Sequence, residues 1–248
     1  GVNNYTISSN GALTLEEYYN NAKGVLDNPS STIEALNEQK NILESVVSLL
    51  EINQPEVDKF YRLRCVGGQM YVSADISDER FEMQGQNYSN PAHMFMYDGT
   101  ALLSYSQGLY MNHQNFNAVG TKSTVAFTEA ANGVKGQYNI KVGTRYVYGR
   151  GNTQNNHIDS GTGSPTSATE NGYNWWLEEV TSLPVTVSSV GYATLYAPVA
   201  LEIPTDVIAY VGVQVDNYLD LTDIKEVTGG VIPANTGVIL EAKQGTYN

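Results

Sequence analysis

Among 248 residues the chain has one cysteine, three histidines, two tryptophans and 13 basic side chains. Each scarcity excludes something. With Cys65 alone, neither an intrachain disulfide nor a thiolate metal cluster can form. Its alternating surroundings, with no histidine close by, mark Cys65 as a small buried apolar filler rather than a nucleophile. The histidines at 93, 113 and 157 never stand as His-x-x-x-His or beside a glutamate, so neither a metal site nor a cofactor is expected. Lys and Arg number 13 against 26 Asp and Glu, a net charge of −13 with no basic run, and a phosphate backbone would be repelled. Nucleic acid is therefore not an expected partner. No stretch approaches the roughly 18 consecutive apolar residues of a membrane span, and no charged-then-apolar leader opens the chain. If the protein is exported, its leader has been removed.

Tyrosine, by contrast, is plentiful, and it recurs in a pattern. Tyr61 to Tyr71, Leu103 to Tyr110 and Ile140 to Tyr146 each read as a strand, a glycine-containing turn and a returning strand that carries a tyrosine. Downstream of each comes an aromatic or apolar run ending in an acid: Met94 to Asp98, Val125 to Glu129, and Trp175 to Glu179. Tyr71, Tyr110 and Tyr146 lie 39 and 36 residues apart, within the range of structural repeats. A four-strand unit that occurs three times, and cannot bury its apolar face alone, predicts a pseudo-threefold β domain. Tyr71, Tyr110, Tyr146 and Trp176 are expected in its core.

The chain divides into three parts. Residues 1–57 carry helical signals: Thr14 with Glu17, and Ser31 with Glu34, fit capping boxes. Ile33, Leu36, Leu43, Val46, Val47 and Leu50 then form one apolar stripe. Asn28-Pro29-Ser30 makes this a helical hairpin that either packs on its neighbour or binds a protein partner. Residues 58–182 hold the repeats, and each repeat carries a long polar segment: Ser73 to Pro91, Asn112 to Ser123 and Gly149 to Gly172. The third is so poor in apolar side chains that it is expected on the surface. Residues 183–248 alternate as short β-strands punctuated by glycine and proline, a small β domain. The fold class is thus mainly β, with an N-terminal α-helical hairpin.

These hairpin and closing-strand units resemble a β-trefoil, the fold of ricin-type lectins. That family carries Gln-x-Trp near the end of each repeat. The matching places here read Phe95-Met96-Tyr97, Ala126-Phe127-Thr128 and Trp175-Trp176-Leu177, so the resemblance implies the fold and not the galactose-type sites. The segments Ser189 to Pro198 and Val231 to Leu240 resemble a β module of secreted and surface proteins of Gram-negative gut anaerobes, one that would continue past Asn248. Together they imply a secreted or cell-surface bacterial protein that binds carbohydrate.

No catalytic constellation accompanies this. Asp98, Glu129 and Glu178 or Glu179 stand one per repeat at strand ends, where threefold repetition accounts for them as turn or surface residues. Sugars need aromatic faces for their C–H surfaces and amides or carboxylates for their hydroxyl pairs. Three clusters offer both. Tyr88 stands with Asn87 and Asn90; Phe116 with Asn112, His113 and Asn115; and Tyr173 with Asn155, Asn156, His157 and Asp159. The expected function is a non-catalytic glycan-binding module. The alternatives are a surface adhesion or structural module that binds protein, betrayed by an exposed apolar patch, and an accessory fragment of a glycoside hydrolase, betrayed by converging carboxylates.

Overall fold

The computed structural model describes residues 5–7, 13–47, 49–74, 80–88, 90–113, 116–149, 156–161, 165, 171–197, 199–215 and 218–248. Helices α1 (Leu15–Asp27) and α2 (Ile33–Val47) form the expected hairpin, flanked by the paired strands β1 (Tyr5–Ile7) and β2 (Leu50–Ile52). Thr14 caps α1 in a reciprocal box, its hydroxyl accepting from Glu17 N–H at 3.2 Å and its own N–H donating to the Glu17 carboxylate at 2.7 Å. At α2 the capping residue is Thr32, whose hydroxyl accepts from Ala35 N–H. Ser31 instead donates back to the Val25 carbonyl, which corrects the expected Ser31–Glu34 box by one position. The hairpin does not bury its stripe: α1 has no buried residue and α2 only Val46.

Twelve strands follow in three sets of four. The first set is β3 (Phe60–Cys65), β4 (Tyr71–Ser73), β5 (Glu82–Gln84) and β6 (Phe95–Tyr97). The second is β7 (Leu102–Ser104), β8 (Tyr110–Met111), β9 (Ala118–Val119) and β10 (Val125–Glu129). The third is β11 (Tyr138–Val142), β12 (Arg145–Gly149), β13 (Asn156–Gly161) and β14 (Asn174–Val180). In each set the first and last strands belong to a barrel wall and the middle two form an outlying hairpin, β4–β5, β8–β9 or β12–β13. The wall runs β3, β6, β7, then β10, β11, β14 and back to β3. Between β7 and β10 there is no ladder among the described residues, only the Val125 N–H bonded to the Thr100 carbonyl at 2.7 Å. This is a β-trefoil.

The repeat register is visible in the pairing. Tyr71 faces Arg64, Tyr110 faces Leu103 and Tyr146 faces Lys141. One residue before each partner stand Leu63, Leu102 and Ile140, all fully buried in the barrel. The turns need a positive φ, which Gly108 and Gly143 supply in the second and third repeats and Gln69 (φ 55°) in the first. Of the three repeat tyrosines only Tyr71 is buried. Tyr110 and Tyr146 are partly exposed beneath Lys122 and Lys141, and so are not core as expected.

The tryptophan assignment also changes. Phe95 pairs with Tyr61 and Trp175 with Tyr138, and those tyrosines stand three residues before Arg64 and Lys141. Phe95 and Trp175 are therefore equivalent by the pseudo-threefold, and both are 0 % exposed. Side chains alternate across a strand, so Trp176 must point outward, and it is partly exposed. The polar segments yield more strand than expected. Glu82–Gln84 and Asn156–Gly161 complete hairpins, and Met83 and Ile158 enter the core.

Beyond Thr181 come β15 (Val185–Val187), β16 (Tyr192–Ala197), β17 (Leu201–Glu202), β18 (Ile208–Val215), β19 (Tyr218–Glu226), β20 (Val231–Ile232), β21 (Thr236–Glu241) and β22 (Gly245–Tyr247). A four-stranded sheet, ordered β16-β21-β18-β19, packs with the pairs β15–β22 and β17–β20 over Ala197, Val207, Ala209, Ile232, Val238 and Leu240. Tyr105 of the trefoil donates its hydroxyl to the Tyr196 carbonyl at 2.9 Å.

Candidate functional site

Where the trefoil's chain ends meet, β3 and β14 pair along six residues, and the outward positions of that ladder are Arg62 and Arg64 against Glu178 and Trp176. Trp176 faces Arg64, whose guanidinium lies 5.7 Å from the indole ring centre. Such a contact orients both groups and is worth about 0.5–1 kcal/mol where water reaches it. Gly136 lies under the indole, where a Cβ would come 2.9 Å from Cζ3; the flat ring needs that glycine, which also holds φ +84°. Glu178 accepts from Arg64 Nε at 2.5 Å and from the Tyr71 hydroxyl at 3.0 Å. Arg64 further donates to the Gln69 side-chain carbonyl. Burial first, then the bonds to Tyr88 and Glu178, push the Tyr71 phenol well above its ordinary range, so it stays a donor.

A segment from the helical part completes the site. Asn53 accepts from the Tyr138 hydroxyl at 2.9 Å, Gln54 donates to the Phe127 carbonyl at 3.1 Å, and Glu56 N–H donates to the Tyr61 hydroxyl at 2.8 Å. Tyr61 and Tyr138 hold equivalent places in the first and third repeats, and the second repeat has Thr100 there. The segment is thus anchored at the one repeat junction with a tyrosine on each side. This fixes Glu56 and Lys59 beside β14, where Lys59 bridges Glu179 at 2.8 Å and Glu56 at 3.2 Å. Those bonds, Glu179 first, raise the Lys59 ammonium pKa. Between segment and barrel lies a cleft of about 860 Å³, lined among others by Asn53, Gln54, Lys59, Arg64, Trp176 and Glu178. An indole wall among fixed amides, carboxylates and cations is suited to a small polar ligand with an apolar face.

Of the residues expected to bind ligand, Tyr88 lies beside this site, outside the cleft lining and joined to it through Tyr71 and Glu178. It is 52 % exposed, packs edge-on to Tyr71 and lies over the Arg62 guanidinium at 5.2 Å. Asn87 is exposed beside it and accepts the Asn90 N–H, while Asn90 caps a short 3-10 turn through Ala92 N–H. The second cluster does not assemble as expected: Phe116 is fully buried with φ +52°, a core residue rather than a ligand platform. Asn112 bonds its N–H to the Asn117 carbonyl, and His113 packs into the third repeat's turn at Gly143, with Nδ1 3.3 Å from the Ser123 hydroxyl. In the third cluster Tyr173 is also corrected, being buried 4.7 Å from the Tyr148 ring. Asp159 pairs with Tyr148, and His157 pairs through its backbone with Glu82. Asn115 and Asn155 lie outside the described residues. Among the described residues no group of three or more His, Cys, Asp or Glu is arranged to hold a metal ion, and no helix is long and apolar enough to cross a membrane.

No family model and no curated protein matches the chain. Among solved structures it is similar to the Macrolepiota procera ricin B-like lectin in complex with lactose, with 14% identity and TM-score 0.43 over 52% of this chain and 100% of that one. It is also similar to the BEL β-trefoil (17%, TM-score 0.41, 52% of this chain and 97% of that one) and to the hemolytic lectin CEL-III (9%, TM-score 0.41, 80% and 61%). With identity and TM-score this low, none of these chains assigns a ligand to this one.

Proposed function

We propose that the chain is a non-catalytic carbohydrate-binding module of a secreted or cell-surface bacterial protein, and that it binds at the Trp176 cleft rather than at the repeat loops. The observation that carries this reading is the partly exposed indole of Trp176, fixed by Arg64 and Gly136 and bordered by Glu178 and the Asn53–Lys59 segment. An indole accepts the C–H face of a sugar ring, and the surrounding amides and carboxylates accept its hydroxyls. The carboxylates do converge, as a glycosidase would require. Each, however, is held by a cation: Glu178 by Arg64, and Glu56 and Glu179 by Lys59. A general acid must instead be kept protonated by its surroundings.

A glycan array probed with the full chain tests the proposal. Binding to at least one glycan, abolished by Trp176→Ala with unchanged far-UV circular dichroism, is expected. Full retention of every array signal in that variant would move the site elsewhere.

The helical hairpin favours a second reading for that part alone. Tyr19, Leu26, Leu36 and Val47 are exposed along a groove of about 510 Å³, the apolar surface that a protein-binding module would present. Pull-down with and without residues 13–47 would separate the two activities.

A further inference from the structure

The geometry points to an extended site with two aromatic subsites, one at Trp176 and one at Tyr88, that takes a neutral oligosaccharide rather than a single sugar. This inference rests on the carbohydrate reading of the Trp176 cleft. On the outer face of the β3–β14 ladder, Arg64 lies over Trp176 and, one outward position along, Arg62 lies over Tyr88. The two arginines place the aromatic rings at opposite ends of one polar strip. Glu178 stands in the middle, about 7 Å along the strand from Trp176. Its second oxygen is bonded by the Tyr71 hydroxyl, which also lies 3.5 Å from the Tyr88 hydroxyl, so an unbroken row of polar atoms joins the two rings.

Tyr88 is half exposed yet not loose. Arg62 Nη2 donates to its backbone carbonyl at 2.8 Å, and the Tyr71 ring packs on it edge-to-face. Arg62 is itself buried and expensive to desolvate, and burial lowers its pKa. A buried arginine spent on holding one exposed tyrosine in place is hard to account for by stability alone. Among the described residues nothing bonds Arg64 Nη2, which leaves donors at the cleft for a sugar hydroxyl.

The charges specify the ligand class. The cleft carries Glu56, Glu178 and Glu179 against Lys59 and Arg64, and Arg62 at the Tyr88 end brings the strip as a whole to no net charge, on a chain whose total is −13. A uronate or sulfated glycan would meet no unbalanced cation and a repelling surround. A neutral chain meets only hydrogen-bonding groups and rings.

The test is calorimetric titration of the full chain with neutral mono-, di- and tetrasaccharides of glucose, galactose and mannose, alongside the matching uronates. For at least one neutral series affinity should rise about tenfold from mono- to disaccharide, as one added contact of typical strength brings. Tyr88→Ala should cancel that gain, Tyr88→Phe should keep it, and Trp176→Ala should remove mono- and disaccharide binding alike. Monosaccharide binding with no gain in length, a gain that survives Tyr88→Ala, or tighter binding of the uronates would each overturn the two-subsite inference while leaving the Trp176 reading intact. Absence of any binding by the unmodified chain would overturn both.

Discussion

Replacing each of the two adjacent tryptophans by alanine separates fold from site. Trp175 is 0 % exposed, and its indole N–H donates to the Val147 carbonyl at 3.1 Å. The backbone of Gly149 closes on it so tightly that a Cβ there would lie 3.3 Å from its ring and 2.6 Å from Cys65 Sγ, which leaves little room for collapse. Truncating a buried tryptophan costs about 3–5 kcal/mol, and the stranded Val147 carbonyl adds to it, so Trp175→Ala should lose about 4–6 kcal/mol. That is a large share of the roughly 5–15 kcal/mol by which ordinary domains are stable. Trp176→Ala removes a cross-strand contact with Arg64 and a ring edge over Gly136, worth about 1 kcal/mol. In urea unfolding followed by far-UV circular dichroism, the midpoint should fall steeply for the first variant and slightly for the second, with similar slopes. An equal or larger loss for Trp176→Ala would mean that β14 is held in the opposite phase, and the site with it.

Two further outcomes are expected. Burial raises the phenol pKa of Tyr61, Tyr71 and Tyr105, so above about pH 10 the unfolded chain releases protons that the folded one keeps. Stability should be complete below that pH and decline above it, and Tyr71→Phe should flatten the decline; a slope unchanged in Tyr71→Phe would contradict the burial argument. Gly136→Ala forces an L side chain to φ +84° and a Cβ against Trp176, costing about 1–2 kcal/mol and displacing the indole. Glycan affinity should drop with it, and retained affinity would show that the indole position is immaterial.

The repeat was legible because each copy writes its hairpin locally, in the turn and tyrosine at Gln69 and Tyr71, Gly108 and Tyr110, Gly143 and Tyr146. The phase of β14 was not. Two consecutive tryptophans satisfy a period of two in either register, and only the partner strand decides which enters the barrel. The site was illegible for a related reason: it joins Arg64 to Trp176 and Glu178 across more than a hundred residues, with Glu56 and Lys59 from the connection to the helices. One trace was present in Arg62-x-Arg64 and Glu178, alternating opposite charges on strands that pair antiparallel. The aromatic residues nearest polar loops, Phe116 and Tyr173, looked like platforms only because loop chemistry says nothing about whether the ring beside it faces in. Tyr88 is exposed where those two are buried, a difference that the polar residues beside all three do not encode.

The β3–β14 ladder also orders events in time. It joins the first strand of the trefoil to its last, so the barrel cannot close until residue 180 has left the ribosome, and contacts this remote in sequence form slowly. At about 5–20 residues per second, synthesis leaves several seconds in which Arg62 and Arg64 are exposed without the carboxylate and indole they face. Binding at the proposed site would therefore be the last property the trefoil acquires, and its appearance would report that the barrel has closed.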